Sequence, residues 1–145
     1  MRVINEILEL KTETGIQCID LNRQINAILD RDQIRDGFVN VFSRHTTTAL
    51  TVNENEERLL DDISEFLEKI APATHPYKHN DLHLRDCPPD EPENAHSHLS
   101  AMMLGNSETI PVLDGKLALG TYQSIMLVEL DGPRDRTVHV QVISA

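Results

Sequence analysis

Seven histidines and no tryptophan in a chain of 145 residues make imidazole the group to follow, since it is the commonest protein metal ligand and titrates near neutral pH. His75, His79, His83, His96 and His98 crowd into one stretch, while His45 stands apart between Arg44 and the run Thr46-Thr47-Thr48. At that junction of two strands a side chain can point into a pocket. His79 has Tyr77 and Asn80 as near neighbours, and His98 begins a short apolar segment that reads as a helix. His45, His79 and His98 therefore come from three different elements, and three imidazoles with a fourth position open are the donor set of a catalytic zinc site. The same residues also read as direct ligand-binding groups, and His75 and His83 read as solvated loop side chains. His96 and His98, two apart, share a face only in extended backbone; in a helix they diverge, and only one of them joins a common site.

Other polar residues are candidates beside them. Asn53 and Glu54, in Asn53-Glu54-Asn55-Glu56, read either as a helix N-terminus with caps and acids at the positive dipole end or as groups that orient metal-bound histidines. Gln123, in Gly120-Thr121-Tyr122-Gln123, is a strand entry or a polar pocket wall, and Arg134, after Asp131-Gly132-Pro133, is a turn residue or a phosphate contact. No Gly-x-Ser-x-Gly elbow, P-loop or Gly-x-Gly-x-x-Gly is present, which removes the usual support for serine-hydrolase, kinase and dinucleotide readings.

The elements that must position these residues follow from apolar periodicity. Val3–Glu9 and Gly15–Ile19 flank Thr12-Glu13-Thr14-Gly15 and read as an opening hairpin. Leu21, Ile25, Ile28 and Leu29 repeat at helical spacing behind Asp20, a plausible cap, in a helix that should end near Gly37. Phe38–Phe42 and Thr46–Val52 are strands meeting around Ser43-Arg44-His45, and Leu59, Leu60, Ile63, Phe66, Leu67 and Ile70 form a second helix with Asn53 or Asn55 to cap it and Pro72 to close it. Ala73–Asn94, with four prolines, is a long loop of the kind that is usually functional or disordered, and its histidines favour function. A short helix over Leu99–Leu104 stops at Gly105, and the rest is strand, turning at Asp114-Gly115 and Asp131-Gly132-Pro133. The fold class is α/β in the α+β sense, one domain over residues 1–145, with helices packed on a largely antiparallel sheet.

Acidic residues outnumber basic ones by 24 to 13, for a formal charge of −11, which disfavours nucleic acid and anionic membrane as partners. No signal-peptide-like run and no stretch of about eighteen apolar residues occurs, so a cytoplasmic location is expected. The two cysteines, Cys18 and Cys87, are too few for a disulfide framework and read as free thiols.

Four blocks in order, His45-Thr46-Thr47-Thr48-Ala49-Leu50-Thr51-Val52-Asn53-Glu54-Asn55, Tyr77-Lys78-His79-Asn80, His98-Leu99 leading to Leu104-Gly105, and Leu119-Gly120-Thr121-Tyr122-Gln123, with Asp131-Gly132-Pro133-Arg134 after them, resemble the signature of the YjbQ family, the secondary thiamine-phosphate synthase proteins. The resemblance covers almost the whole chain. It implies a homotrimer with a histidine pocket that holds a divalent metal such as zinc at His45, His79 and His98, magnesium being the alternative for diphosphate chemistry. It also implies joining of a hydroxymethylpyrimidine diphosphate to a thiazole phosphate, with Glu54 and Asn53 in support of His45 and with Gln123 and Arg134 towards a phosphorylated substrate. Two other classes compete with it: a zinc-dependent hydrolase acting through bound water, and a non-catalytic trimeric small-molecule-binding protein.

Overall fold

Alternate residues of Asp135–Ser144 are buried, the period-two pattern of a strand with one face in a core. That strand, β8, lies at the middle of the structure. The computed structural model describes residues 1–145, with strands β1 (Arg2–Lys11), β2 (Gly15–Asp20), β3 (Gly37–Ser43), β4 (Thr48–Asn53), β5 (Ser107–Leu113), β6 (Lys116–Leu117), β7 (Ser124–Gly132) and β8, and helices α1 (Asn22–Arg31), α2 (Glu57–Ile70) and α3 (Ala95–Leu104). The strands form two sheets, ordered β1-β8-β3-β5-β6 and β2-β7-β4. Every pairing is antiparallel, so the expected α+β class holds, with two sheets where one was expected.

The larger sheet supplies Val39, Val41, Ile110, Val112, Val138, Val140 and Val142 to the main core, the smaller sheet Leu50, Ile125 and Leu127, and α1 adds Leu21 just before it, Ile25, Ile28 and Leu29 within it. Each such aliphatic side chain contributes roughly 1.5–3 kcal/mol on burial. The opposite face of the smaller sheet carries Ala49, Val128 and Leu130 against Leu67 of α2 and Ala101 of α3. The layers are therefore sheet, sheet and a helix pair. No helix covers the outside of the larger sheet, where Val3, Ile7 and Phe38 stay exposed.

The chain does not open with a hairpin. β1 pairs along its whole length with β8, from Arg2 opposite Ser144 to Lys11 opposite Asp135, and β2 pairs with β7 in the other sheet. The segments joining β3 to β4 and β7 to β8 make the same change of sheet. A long strand whose alternate residues must stay on one core face cannot fold back on its neighbour when each has a better-matched partner elsewhere. The three corners are bonded together at one end: Thr12 N–H donates to the Arg134 carbonyl at 3.0 Å, Arg134 N–H donates to Thr12 Oγ1 at 3.0 Å, and Arg136 Nη2 donates to Thr47 Oγ1 at 2.8 Å.

Helix ends differ from expectation for local reasons. α1 stops at Arg31 rather than near Gly37, followed by Gln33 in the left-handed region at φ 53°. Asp20 does serve its start, Oδ1 accepting from Asn22 N–H at 2.8 Å. α2 is capped by Glu56, whose carboxylate accepts from the N–H groups of Arg58 and Leu59, because Asn53 Oδ1 is engaged by Glu54 N–H and Asn55 Nδ2 points to Asp20. α3 begins at Ala95, enclosing both His96 and His98. No helix is long and apolar enough to cross a membrane.

Candidate functional site

The interior between the sheets ends in charge where the corners meet. Glu129 continues the inward positions Ile125 and Leu127 of β7, and Arg136 precedes the inward Val138 of β8; they are 0% and 5% exposed. Arg136 Nε and Nη2 each donate to Glu129 at 2.7 Å, Thr12 Oγ1 donates at 2.7 Å, and the N–H groups of Leu130 and Asp131 donate at 3.0 and 2.8 Å. Burial alone would raise the Glu129 carboxyl, but the bonds from Arg136, Thr12 and the Asp131 N–H outweigh it and hold its pKa below the ordinary value. The charge pair is thus satisfied on nearly every atom, the condition under which a buried pair is tolerated.

Above it opens a cleft of about 380 Å³ lined by Arg44, His45, Thr46, Thr47, Glu91, Pro92, Asn94, His98, Asp131, Arg134 and Arg136. Three guanidinium groups line it, two of them ion-paired, Arg134 with Asp131 and Arg136 with Glu129, so Arg44 is the one without an acidic partner. Arg134 is steadied by Asp131, with Nε to the carbonyl at 3.0 Å and Nη2 to Oδ2 at 2.8 Å. Asn94 Nδ2 donates to the same Oδ2 at 2.7 Å, leaving Asn94 Oδ1 buried without a partner. Asn94 is therefore spent on Asp131, and Asn80 takes over at the α3 N-terminus, its Oδ1 accepting from Ala95 N–H at 3.1 Å.

That contact also places His79. Its ring meets His98 edge to face, 4.8 Å between centroids, and Arg85 Nη1 donates to its carbonyl at 2.8 Å. His98 titrates below its ordinary value because burial disfavours its charge and His79 adds to that, against the opposing pull of Asp131. His45 is likewise lowered, by burial first and then by the Arg136 charge. Both imidazoles are therefore neutral at pH 7. His45 Nε2 accepts the Thr137 N–H at 3.0 Å, which puts the His45 proton on Nδ1.

The structure gathers His45, His98 and Arg134 in one cleft and sets His79 against His98. His98 also borders two further hollows, one with His45, Thr48 and Met102 and one with His75, Tyr77 and His79. Asn53, Glu54 and Gln123 are not brought there. Asn53 lies opposite Ser124, at the end of β4 remote from His45, roughly 17 Å from Thr48 at a strand rise of about 3.3 Å per residue; Gln123 is next to that pair and accepts from Gly120 N–H through Oε1. His96, on another face of α3, lines a separate hollow with Leu67 and Ser100, the divergence expected of helical backbone.

His79 Nε2 is buried and unpartnered, so His79 and His98 present a pair of imidazoles suited to a cation. The set is not closed: no three His, Cys, Asp or Glu side chains come together in a cation-holding group, and the His45 Nε2 lone pair is committed to Thr137. Sequence reasoning missed Arg44, Asn94, Asp131, Glu129 and Arg136 as parts of the site. Two of them carried a signal: Glu129 interrupts the apolar run Ile125–Leu130, and Arg136 occupies an inward position of the β8 alternation.

Comparison with known proteins covers nearly the whole chain. Residues 6–145 match the model of the family described as UPF0047 protein YjbQ-like. A UPF0047 protein of Methanothermobacter thermautotrophicus is 44% identical over 142 residues, 98% of this chain and 93% of that one. One from Archaeoglobus fulgidus is 46% identical over 136 residues, 94% of this chain and 98% of its own length. Among solved structures, a YbjQ-like protein of unknown function from Sulfolobus solfataricus superposes with a TM-score of 0.88 at 33% identity, covering 99% of both chains. A hypothetical protein of Aeropyrum pernix gives 0.87 at 37% identity, over 98% of this chain and 99% of that one. From the agreement of fold, length and sequence, the chain belongs to the YjbQ-like UPF0047 family.

Proposed function

We propose that the chain is a thiamine-phosphate synthase-like transferase, which joins a hydroxymethylpyrimidine diphosphate to a thiazole phosphate in the corner cleft. The observation that supports this reading is the polar lining of the cleft, in which Arg44, Arg134 and Arg136 stand with His45 and His98 among threonines, Asn94, Glu91 and Asp131, and Pro92 is the one apolar side chain. Such a lining suits a diphosphate, whose charge increases at the bridging oxygen as it leaves. In the reaction the thiazole nitrogen attacks the exocyclic methylene carbon, a C–N bond forms, and the C–O bond breaks with its electron pair passing to pyrophosphate. Arg44, which has no ion-pair partner, is the cation free to meet that charge, while Arg136, fixed by Glu129, holds the floor of the cleft in place so that it need not reorganise as charge develops. His45, donating through Nδ1–H, is suited to a phosphate oxygen.

A divalent cation, zinc on the imidazoles or magnesium with the diphosphate, would be held by His79 and His98 with His45 beside them, and would supply further neutralisation of the leaving group. Asn53, Glu54 and Gln123 keep a role in this reading if a homotrimer carries the remote end of one subunit to the cleft of another. The uncovered Val3, Ile7 and Phe38 face supports self-association, and a monomer by light scattering would remove that part.

The test is turnover by purified untagged protein given both phosphorylated halves with zinc or magnesium. Thiamine phosphate should form, and Arg44→Ala should slow it; absence of product with either metal refutes the synthase reading. Metal analysis runs beside it. Roughly one zinc per chain, lost in His79→Ala and His98→Ala, is expected, and a metal content indifferent to both substitutions refutes the imidazole site.

A further inference from the structure

His98 also lines a second chamber, of about 580 Å³, with walls of a different kind. His75 and Tyr77 meet edge to face with ring centroids 4.6 Å apart, Pro76 and Leu99 add flat and aliphatic surface, and the His79–His98 pair forms the wall towards the cleft. The arginine cleft has two aromatic rings, His45 and His98, among charged and polar side chains, and this chamber has four, His75, Tyr77, His79 and His98. A single histidine separates them.

The walls are held in place without a ligand. Tyr77 N–H donates to the His75 carbonyl at 2.9 Å, and the Tyr77 carbonyl accepts from Asn80 N–H at 3.1 Å. Asn80 is in turn bonded to the start of α3, the helix that carries His98 and Leu99. The backbone that carries the rings is thus tied to the same helix as the cleft. Leu99 is 40% exposed although it faces this hollow, an apolar surface that a flat ligand would cover.

We infer that this chamber is a subsite for a planar heteroaromatic ring, stacked at Tyr77 and His75, and that the ligand's phosphates lie across His98 among the arginines. The inference rests on the proposed function for the phosphate end of the ligand only. Aromatic faces and edges prefer other planar rings over saturated ones of the same size, because the quadrupole adds to the area buried. Tyr77 is then the residue that sets ring selectivity, and the chain distinguishes ligands by their two ends independently.

The two ends are tested by separate probes in titration calorimetry on the full chain. Hydroxymethylpyrimidine without phosphates reads the chamber, cyclohexylmethanol controls for planarity, and inorganic pyrophosphate reads the cleft. The pyrimidine should bind and the saturated ring should not, and Tyr77→Ala should weaken the pyrimidine by on the order of tenfold while Tyr77→Phe retains it. Arg44→Ala, on an exposed corner, should weaken pyrophosphate and spare the pyrimidine. If the pyrimidine fails to bind, binds no better than the saturated ring, or is indifferent to Tyr77→Ala, the subsite is overturned, whatever pyrophosphate does. Pyrimidine binding that depends on Tyr77 upholds the subsite, and in that case a wild-type chain that does not take up pyrophosphate overturns the phosphate reading of the cleft alone.

Discussion

Glu129→Leu should be among the most destabilising single substitutions in this chain, and Glu129→Leu with Arg136→Met should be far milder. The single change leaves Arg136 charged and 5% exposed with its Nε donor unpaired, and it takes the Glu129 acceptor from the Asp131 N–H, whereas the Thr12 hydroxyl keeps the Arg134 carbonyl and the Leu130 N–H keeps the Thr47 carbonyl, each at 3.2 Å. Removing one partner of a buried pair costs about 3–5 kcal/mol. The lost acceptor of the Asp131 N–H adds to this, though not independently, so about 4 kcal/mol is the working figure. Against a total stability of roughly 5–15 kcal/mol for a domain, such a loss is visible as a large drop in the urea midpoint at unchanged slope. The double variant removes the unpaired charge and should recover more than half of the loss, because apolar replacement of both members is near neutral in other buried pairs. Urea unfolding of the wild type, both singles and the double closes the cycle. A loss below about 1 kcal/mol for Glu129→Leu, or a double variant no better than the single, would refute the claim that this pair ties the corners together.

Acid should act in two stages. His45 and His98 titrate below their ordinary value in the folded chain, so the unfolded chain binds protons first; the stability they contribute is complete above about pH 6.5 and is lost as pH falls through their lowered folded values. The midpoint of thermal unfolding should fall below about pH 6.5, and the fall should flatten in His45→Gln/His98→Gln. Glu129, also lowered, adds a second loss that starts below the ordinary carboxylate value, and a profile without it in wild type would contradict the pairing described. Asn80→Ala removes the acceptor at the start of α3 and should cost about 1 kcal/mol, with faster amide exchange at Ala95 as its local sign. Gly37→Ala drives a methyl group into the Ile143 carbonyl and the Ser144 Cα at a backbone of φ +153°, and a cost of at least about 1–3 kcal/mol by chemical denaturation is expected.

Most elements were legible in the sequence because their signals are local. The period of Leu59, Ile63, Phe66, Leu67 and Ile70 marks α2, and the alternation after Arg136 marks β8. What could not be read is which strand each strand pairs with. Thr12–Gly15 has the composition of a hairpin turn, yet β1 and β2 part there, since the choice is made by β7 and β8 more than a hundred residues later. The α2 cap was missed for a similar reason: Glu56 won a position for which Asn53 and Asn55 were chemically as good, through contacts the sequence does not display. In the site, the histidines drew attention to His45, His79 and His98, whereas Arg44 and Asn94 are visible as site residues only once the corners converge.

The strand order has a temporal consequence. β7 and β8, the last two of the eight strands, are the central or bridging partners, β7 between β2 and β4 and β8 between β1 and β3. Until Ser124–Ser144 has left the ribosome, β1, β2 and β4 have no sheet to join, and only the β3-β5-β6 pairing can form. Assembly therefore waits on long-range closure, the slow class of topology, and apolar strands remain unpaired meanwhile. The sheets, with the corner cleft between them, therefore close in one late event.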